Sequence, residues 1–270
     1  MRRLIALFTA LLAGSFALVG CGGGASSTGS LTLFLADAPL QGVTALNITI
    51  DRIDAHLDGQ WVAIETDPQT IDLLTLTQNE MMIGSAGVPS GTYTQIRLFL
   101  SSATVTDDTG TYDVTIPSAA QTGLKLNVNA TVSGGGVELL LDFNVAKSLI
   151  KTGEGEYKLK PVIPVVIREQ AGTIAGIAMY NGTPMADVHV VATYVAGSSY
   201  PLDTEVNTSL SMADGSFKVW ALKEGMYRLD LERVEAGGML RFIATVEDVA
   251  VTAGHDTNVG AVDLQIRLGP

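Results

Sequence analysis

From Ser30 onward, apolar and polar residues alternate with a period of two in short runs punctuated by Gly, Asp, Ser and Pro. Successive side chains of a strand point to opposite faces, so a period of two builds a half-buried strand, whereas a buried helix face needs a period of 3.6. Leu31-Thr32-Leu33-Phe34-Leu35, Asn47-Ile48-Thr49-Ile50 and Thr94-Gln95-Ile96-Arg97-Leu98 show the pattern, as do residues 112–116, 124–128 and 137–143. Turn residues recurring about every ten positions between such runs predict an antiparallel sandwich or barrel. Residues 145–150 read as a short helix and residues 71–76 as a helical turn. The expected class is all-β.

A composition shift marks a boundary near Arg168-Glu169-Gln170-Ala171-Gly172. Residues 161–167 contain two prolines, which suits an edge strand. Beyond them a fresh set of hairpins begins. Asn181-Gly182 marks a turn between Ile177-Ala178-Met179-Tyr180 and Val188-His189-Val190-Val191, and Asp214-Gly215 precedes Ser216-Phe217-Lys218-Val219-Trp220. Residues 264–268 form a last strand. The sequence thus predicts two antiparallel β-sandwich domains in tandem, 31–168 and 172–270. Pro89-Ser90-Gly91-Thr92-Tyr93 and Lys223-Glu224-Gly225-Met226-Tyr227 both place Gly-x-Tyr before an alternating strand. In each, the glycine is expected in a turn and the tyrosine hydroxyl on backbone.

The N-terminus reads as an export signal. Arg2 and Arg3 precede an apolar stretch, residues 4–19, that is too short and wrongly flanked for a membrane span. It ends in Leu18-Val19-Gly20-Cys21, which resembles the bacterial lipobox. That resemblance implies a signal peptide over residues 1–20 and a covalent lipid (diacylglycerol and an N-acyl chain such as palmitate) on Cys21. Several acyl chains anchor stably where one would be marginal. Residues 21–30 then form the lipidated cysteine and a Gly/Ser tether. Gly22 after the cysteine implies outer-membrane sorting where the cell has two membranes.

Charge narrows the partners. Without residues 1–20 the chain carries 14 bases and 28 acids, a formal net charge of −14. Nucleic-acid binding requires a basic footprint and is not expected. Cys21 is the only cysteine, so lipidation leaves no thiol for a disulfide, a nucleophile or a metal. The membrane is the expected partner through the lipid, with a polysaccharide or another envelope protein as further partners.

Two families enter on longer patterns. Residues 31–167 resemble a domain of unknown function found in bacterial lipoproteins. The resemblance rests on Leu35-Ala36-Asp37-Ala38-Pro39, Gly91-Thr92-Tyr93-Thr94-Gln95-Ile96-Arg97-Leu98 and Gly123-Leu124-Lys125-Leu126. It continues in Leu141-Asp142-Phe143-Asn144-Val145-Ala146-Lys147-Ser148 and Tyr157-Lys158-Leu159-Lys160-Pro161-Val162-Ile163. It implies no activity. Residues 171–270 resemble the carboxypeptidase regulatory-like domain through Gly172-Thr173-Ile174-Ala175-Gly176, Thr183-Pro184-Met185-Ala186-Asp187-Val188, Asp214-Gly215-Ser216-Phe217 and Leu222-Lys223-Glu224-Gly225-Met226-Tyr227. That resemblance implies a transthyretin-like sandwich of the carbohydrate-binding-like fold, used as a non-catalytic module.

Candidate chemistry is sparse. His56, His189 and His255 show no metal-ligand spacing, and neither HExxH nor Gly-x-Ser-x-Gly occurs. Asp51, Asp54 and Asp58 are hard oxygen ligands that could hold calcium, although no Asp-x-Asp-x-Asp-Gly loop frames them; no other cofactor is expected. Trp61 and Trp220 are candidate sugar platforms, with core or rim packing as the alternative. Asp142, Lys147 and Arg97 lie inside the family-like segments and are expected to pair wherever they are buried. The functional expectation is a non-enzymatic, lipid-anchored envelope protein acting as an interaction or structural module. The alternative is a carbohydrate-binding lipoprotein that uses its C-terminal sandwich, and behind it an envelope enzyme.

Overall fold

The computed structural model describes residues 27–116, 122–153, 155–235 and 240–268. The strands of the first half, in chain order, are β1 (Thr28–Ala36), β2 (Val43–Leu57), β3 (Gln60–Glu65), β4 (Gln69–Asp72), β5 (Met81–Pro89), β6 (Gly91–Asp107), β7 (Gly110–Thr115), β8 (Leu124–Val132), β9 (Val137–Asp142), β10 (Leu149–Lys151), β11 (Tyr157–Leu159) and β12 (Val165–Ile167). A 3-10 turn spans Leu73–Leu76, and a single helical turn, α1, spans Val145–Ser148. Both lie where the residue pattern predicts them. β12, β9, β1 and β5 form one sheet; β10, β11, β7, β6, β2 and β3 form the other, with β4 on β2 and β8 on β6. Between them sits a core including Leu31, Leu33, Leu35, Ile48, Ile50, Ile96, Leu98, Leu139 and Leu141. β12 is an edge strand, as its flanking prolines require.

The second half comprises β13 (Ala171–Tyr180), β14 (Thr183–Pro184), β15 (His189–Ala196), β16 (Thr204–Leu210), β17 (Ser216–Lys223), β18 (Gly225–Val234), β19 (Leu240–Val251), β20 (Asp256–Asp263) and β21 (Gln265–Leu268). β14, β13, β17 and β20 make one sheet, and β16, β15, β18, β19 and β21 the other. The core between them includes Ile174, Val190, Phe217, Val219, Leu229 and Leu231. Asn181 and Gly182 take positive φ in a tight turn, but the strand they return to is Thr183–Pro184. His189 and its neighbours pair with β16 and β18 in the opposite sheet, which corrects the expected hairpin. Met185 N makes a last bond to Ala178 O at 2.9 Å before the chain leaves β13 and crosses over.

Pairing is antiparallel except at β1–β9, β7–β11 and β13–β20. Those parallel pairs join strands distant in sequence, as parallel pairing requires.

Two β-bulges set the direction of the side chains around them. In β2 the register shifts between Ile50 and Arg52. Leu46, Ile48 and Ile50 point inward before it, and Ile53, Ala55 and Leu57 after it. One extra residue moves every following side chain to the other face. In β17, two steps of β13 (Gly172 to Ile174) face three of β17 (Val219 to Leu222), and Ala221 adopts φ 57°.

Both Gly-x-Tyr motifs close a sandwich end in one geometry. Tyr93 and Tyr227 are fully buried, and each donates its hydroxyl four residues back, Tyr93 to Pro89 O at 2.9 Å and Tyr227 to Lys223 O at 2.8 Å. The glycines at 91 and 225 have φ 155°, and a Cβ there would come within 2.6 Å of Leu57 or 2.3 Å of Tyr194. This is the tyrosine-corner device of β-sandwiches. Tyr227→Phe leaves Lys223 O short of a partner and is expected to cost about 1 kcal/mol, read from the urea midpoint.

Candidate functional site

Between the halves lies a third, smaller core of Ala36, Leu140, Val166, Ala171, Trp220 and Ala221, with Phe34 against it. Trp220 reaches it by the ordinary alternation of β17, on the same side as Lys218. Phe217, Val219 and Leu222 face the C-terminal core, while Trp220 leaves on the opposite side and buries all but 5% of its surface. Its Nε1 donates to Thr77 O at 3.2 Å, and the Lys218 ammonium sits 4.0 Å from the ring. Ala221 holds a left-handed backbone that L-residues disfavour by roughly 1–2 kcal/mol.

Beside the indole lies a polar cluster shared by both halves. The segments containing Asp37 and Asp142 are tied together, with Phe143 N donating to Ala36 O at 2.9 Å and Val145 N to Asp37 Oδ1 at 3.0 Å. Asn144 takes φ 42° and caps α1 by accepting from Lys147 N. Its Nδ2 donates to Asn207 Oδ1 of the C-terminal half at 2.9 Å. Asn207 Nδ2 in turn donates to Asp142 Oδ2 in a short bond and to Trp220 O at 2.9 Å. Asp37, Asp142, Asn144 and Asn207 are all buried. Lys147 and Glu205 pair across the rim at 3.0 Å, an exposed pair worth little by itself. At the connection, Arg168 bridges Glu80 and Glu138.

Burial dominates the electrostatics. It pushes Asp142 up to about 6, opposed by the Asn207 amide, the Asn144 N–H and the Lys147 charge. Asp37 is raised well above the usual carboxylate range: burial leads, the Val145 N–H opposes it, and the Asp142 charge adds to the rise. Its Oδ2 has no hydrogen-bond partner, as fits a neutral carboxyl. For a carboxyl raised in the folded state, stability is fully present below the unfolded value near 3.8 and is lost as pH rises through the folded one. The carboxyls of Glu65, Asp107, Asp214 and Asp256 are lowered by hydrogen bonds, and their contribution is lost on acidification. The melting temperature is therefore expected to peak near pH 5. Asp142 alone makes the fold more stable there than at pH 8 by roughly 1 kcal/mol. Asp37→Asn should flatten the alkaline side of that profile in a thermal-melt series.

The remaining sequence candidates lie elsewhere. Trp61 opens edge strand β3 and is 39% exposed, beside His56 at 4.8 Å and under the Arg97 guanidinium at 4.1 Å. Arg97 therefore stands apart from Asp142 and Lys147. Asp51 sits at the β2 bulge and accepts from Ser101 Oγ at 2.7 Å; Asp54 pairs with Arg52 at 3.1 Å; Asp58 occupies the turn into β3 with φ 47°. Their spacing of three and four does not gather them, because the chain is extended and bulged there. Among the described residues no three His, Cys, Asp or Glu side chains form a group able to hold a metal. Cys21 and residues 1–20 lie outside the described residues. A cleft of about 300 Å³ adjoins Trp220, lined by Glu80, Arg168, Thr173, His255 and Asp256 among others. Its charges are matched internally, Asp256 accepting from Thr173 Oγ1 at 2.6 Å and from Lys218 Nζ at 3.2 Å.

The segments that meet at the cluster, around Asp37 and Asp142, are among those that carry the lipoprotein-domain resemblance. Residues 28–161 match the family described as Domain of unknown function (DUF4382). Asp37, Asp142, Asn144 and Lys147 all fall inside the DUF4382 match, whereas Asn207 and Trp220 come from beyond it. No curated protein matches the chain. Among solved structures, a 9R-lipoxygenase from Cyanothece PCC8801 aligns at 13% identity and TM-score 0.24, over 44% of this chain and 19% of its own. The TIE protein of Bacillus anthracis aligns at 10% and 0.26, over 88% and 34%. The shaft pilin SpaA of Lactobacillus rhamnosus GG aligns at 9% and 0.25, over 88% and 97%. The chain spans about a fifth and a third of the length of the first two.

Proposed function

We propose that this protein is a non-catalytic, lipid-anchored module of the bacterial cell envelope that presents two sandwiches as one stiff body. The observation that carries the reading is the desolvated joint between the halves, in which Asn207 and Trp220 of one half complete the hydrogen bonding of Asp142, Asn144 and Thr77 of the other. Tandem domains on a simple linker move freely by default; a packed and hydrogen-bonded joint is what a structural or interaction module needs. The second half reads as a carboxypeptidase regulatory-like, transthyretin-like sandwich, supported by its two sheets and the Tyr227 corner. Trp220, the sugar-platform candidate of that half, turns its ring into the joint, so no observation favours a glycan site there.

Anchoring rests on the basic start, the apolar stretch and Leu18-Val19-Gly20-Cys21. The lipid on Cys21 holds the protein at a membrane, the outer one where the cell has two. Cys21→Ser is expected to move the protein from the membrane to the soluble fraction and to abolish labelling by an acyl-chain probe. A Cys21→Ser protein still fully labelled refutes the anchor.

A further inference from the structure

The chain is strongly acidic, yet one open sheet face runs against that trend. On the outer side of β3, β2, β6 and β8, the pairing register lines up Trp61, His56, Gln95 and Asn127 in one row. Ala63, Asp54, Arg97 and Lys125 form the next, followed by Arg52 opposite Phe99. Four strands at about 4.8 Å spacing make each row roughly 14 Å long. The opposite side of the same strands, Ile53, Ala55, Ile96, Leu98 and Leu126, is buried in the core, so the platform is rigid.

Residues 31–170 contain 8 bases and 16 acids, and three of those bases, Arg52, Arg97 and Lys125, are on this face. The acids beside them are engaged by their own neighbours. Asp54 pairs with Arg52; Asp51 accepts from Ser101; Glu65 accepts from the backbone N–H groups of Thr66 and Asp67 at 2.8 and 3.0 Å. Arg97 and Lys125 have no carboxylate partner among the described residues. Arg97 Nε donates to Gln95 Oε1 at 3.3 Å, and Gln95 Nε2 donates to Asn127 Oδ1 at 3.3 Å. The guanidinium lies over the Trp61 ring and its two terminal nitrogens are left for a ligand. Beyond Phe99 the face continues into a shallow cleft of about 470 Å³ bordered by Asp51, Arg52 and Ser101.

The geometry points to a binding face for an acidic, uronate-bearing polysaccharide. Each feature has a counterpart in that ligand class. A carboxylate suits the free edge of Arg97 and the Lys125 ammonium, because charge-assisted bonds of this kind are the strong ones. The exposed indole edge offers an apolar surface to a pyranose ring. Gln95, Asn127 and His56 supply the donors and acceptors that sugar hydroxyls require. Rows of roughly 14 Å on an exposed sheet face suit several units of a polymer. Nucleic acid is disfavoured, since three bases and one exposed indole fall short of the basic, aromatic-lined track that a phosphate backbone and its bases require. The proposal rests on the interaction-module reading and adds its ligand.

The test is affinity electrophoresis of the full-length protein in detergent, in gels containing polygalacturonate, neutral dextran or polyglutamate. Polygalacturonate is expected to retard the protein and dextran to leave it unaffected, while polyglutamate retards it far less. Trp61→Ala, Arg97→Gln and Lys125→Gln should each weaken retardation about tenfold, equivalent to about 1.4 kcal/mol, with Lys158→Gln on β11 unchanged. Lys125 is exposed on β8, so that variant keeps the fold, checked by its melting temperature. Absence of retardation by polygalacturonate overturns the proposal. So does equal retardation by polyglutamate, or retardation that folded Lys125→Gln and Trp61→Ala proteins retain. None of these outcomes touches the lipid anchor or the joint between the halves, which other measurements test.

Discussion

Asn207→Leu is expected to destabilise the protein by about 3–5 kcal/mol at pH 8, the usual cost of stripping a buried charge of its partner. Asn207 is buried in β16, and its amide closes four bonds at once: it accepts from Asn144 Nδ2 and Thr208 N and donates to Asp142 Oδ2 and Trp220 O. Leucine fills the volume and satisfies none of these groups. Asp142 then faces desolvation with only the Asn144 N–H at 3.3 Å and the distant Lys147 charge in its favour. The loss has a pH signature. Burial already pushes Asp142 up to about 6, and without Asn207 it rises further, so the carboxyl is neutral at pH 5 and needs its partner less. The destabilisation is therefore expected to shrink from pH 8 to pH 5, in contrast to a packing mutation, whose cost stays level. Urea denaturation at the two pH values separates these cases.

Trp220→Ala is the second large effect, at about 3–5 kcal/mol for a buried tryptophan truncation. The indole is the largest side chain in the small core at the joint, where its neighbours are Ala36, Leu140, Val166, Ala171 and Ala221. Its removal also leaves Thr77 O without the Nε1 donor. Because the damage falls between the halves, the expected result differs in kind from a core mutation. Each sandwich keeps its own core, so the melt should split into two transitions, with the tyrosine corners at 93 and 227 intact.

Much of this architecture is legible in the chain because a period of two reports directly on a half-buried strand. The alternation in residues 31–35, 94–98 and 137–143 locates three strands. The two Gly-x-Tyr motifs announce their corners because glycine at φ 155° and a tyrosine hydroxyl four residues from its acceptor are local features. The bulges are not legible. Nothing in Ile50-Asp51-Arg52 or Trp220-Ala221 breaks the composition of a strand, yet each bulge inserts a residue and reverses the facing of the side chains after it. This is why Asp51, Asp54 and Asp58 do not converge, and why Leu222 returns to the C-terminal core three residues after Val219. Asp37 and Asp142 carry a signal, an acid inside an apolar run, and the rule that buried charges find partners anticipates the network around Asp142 and Lys147. Arg97 shares only the family-like segments with them and instead stacks on Trp61. Asn207 has no local signal. It stands in Glu205-Val206-Asn207-Thr208, which reads as an ordinary polar strand, and its role comes from a half of the molecule more than sixty residues away.

The central claim, that the two sandwiches form one body through the Trp220–Asn207 joint, is tested most directly by differential scanning calorimetry of the full-length protein at pH 7. A single transition is expected whose van't Hoff and calorimetric enthalpies agree, and which splits into two in Trp220→Ala. Two separate transitions in the unmodified protein, unchanged by Trp220→Ala, would contradict it.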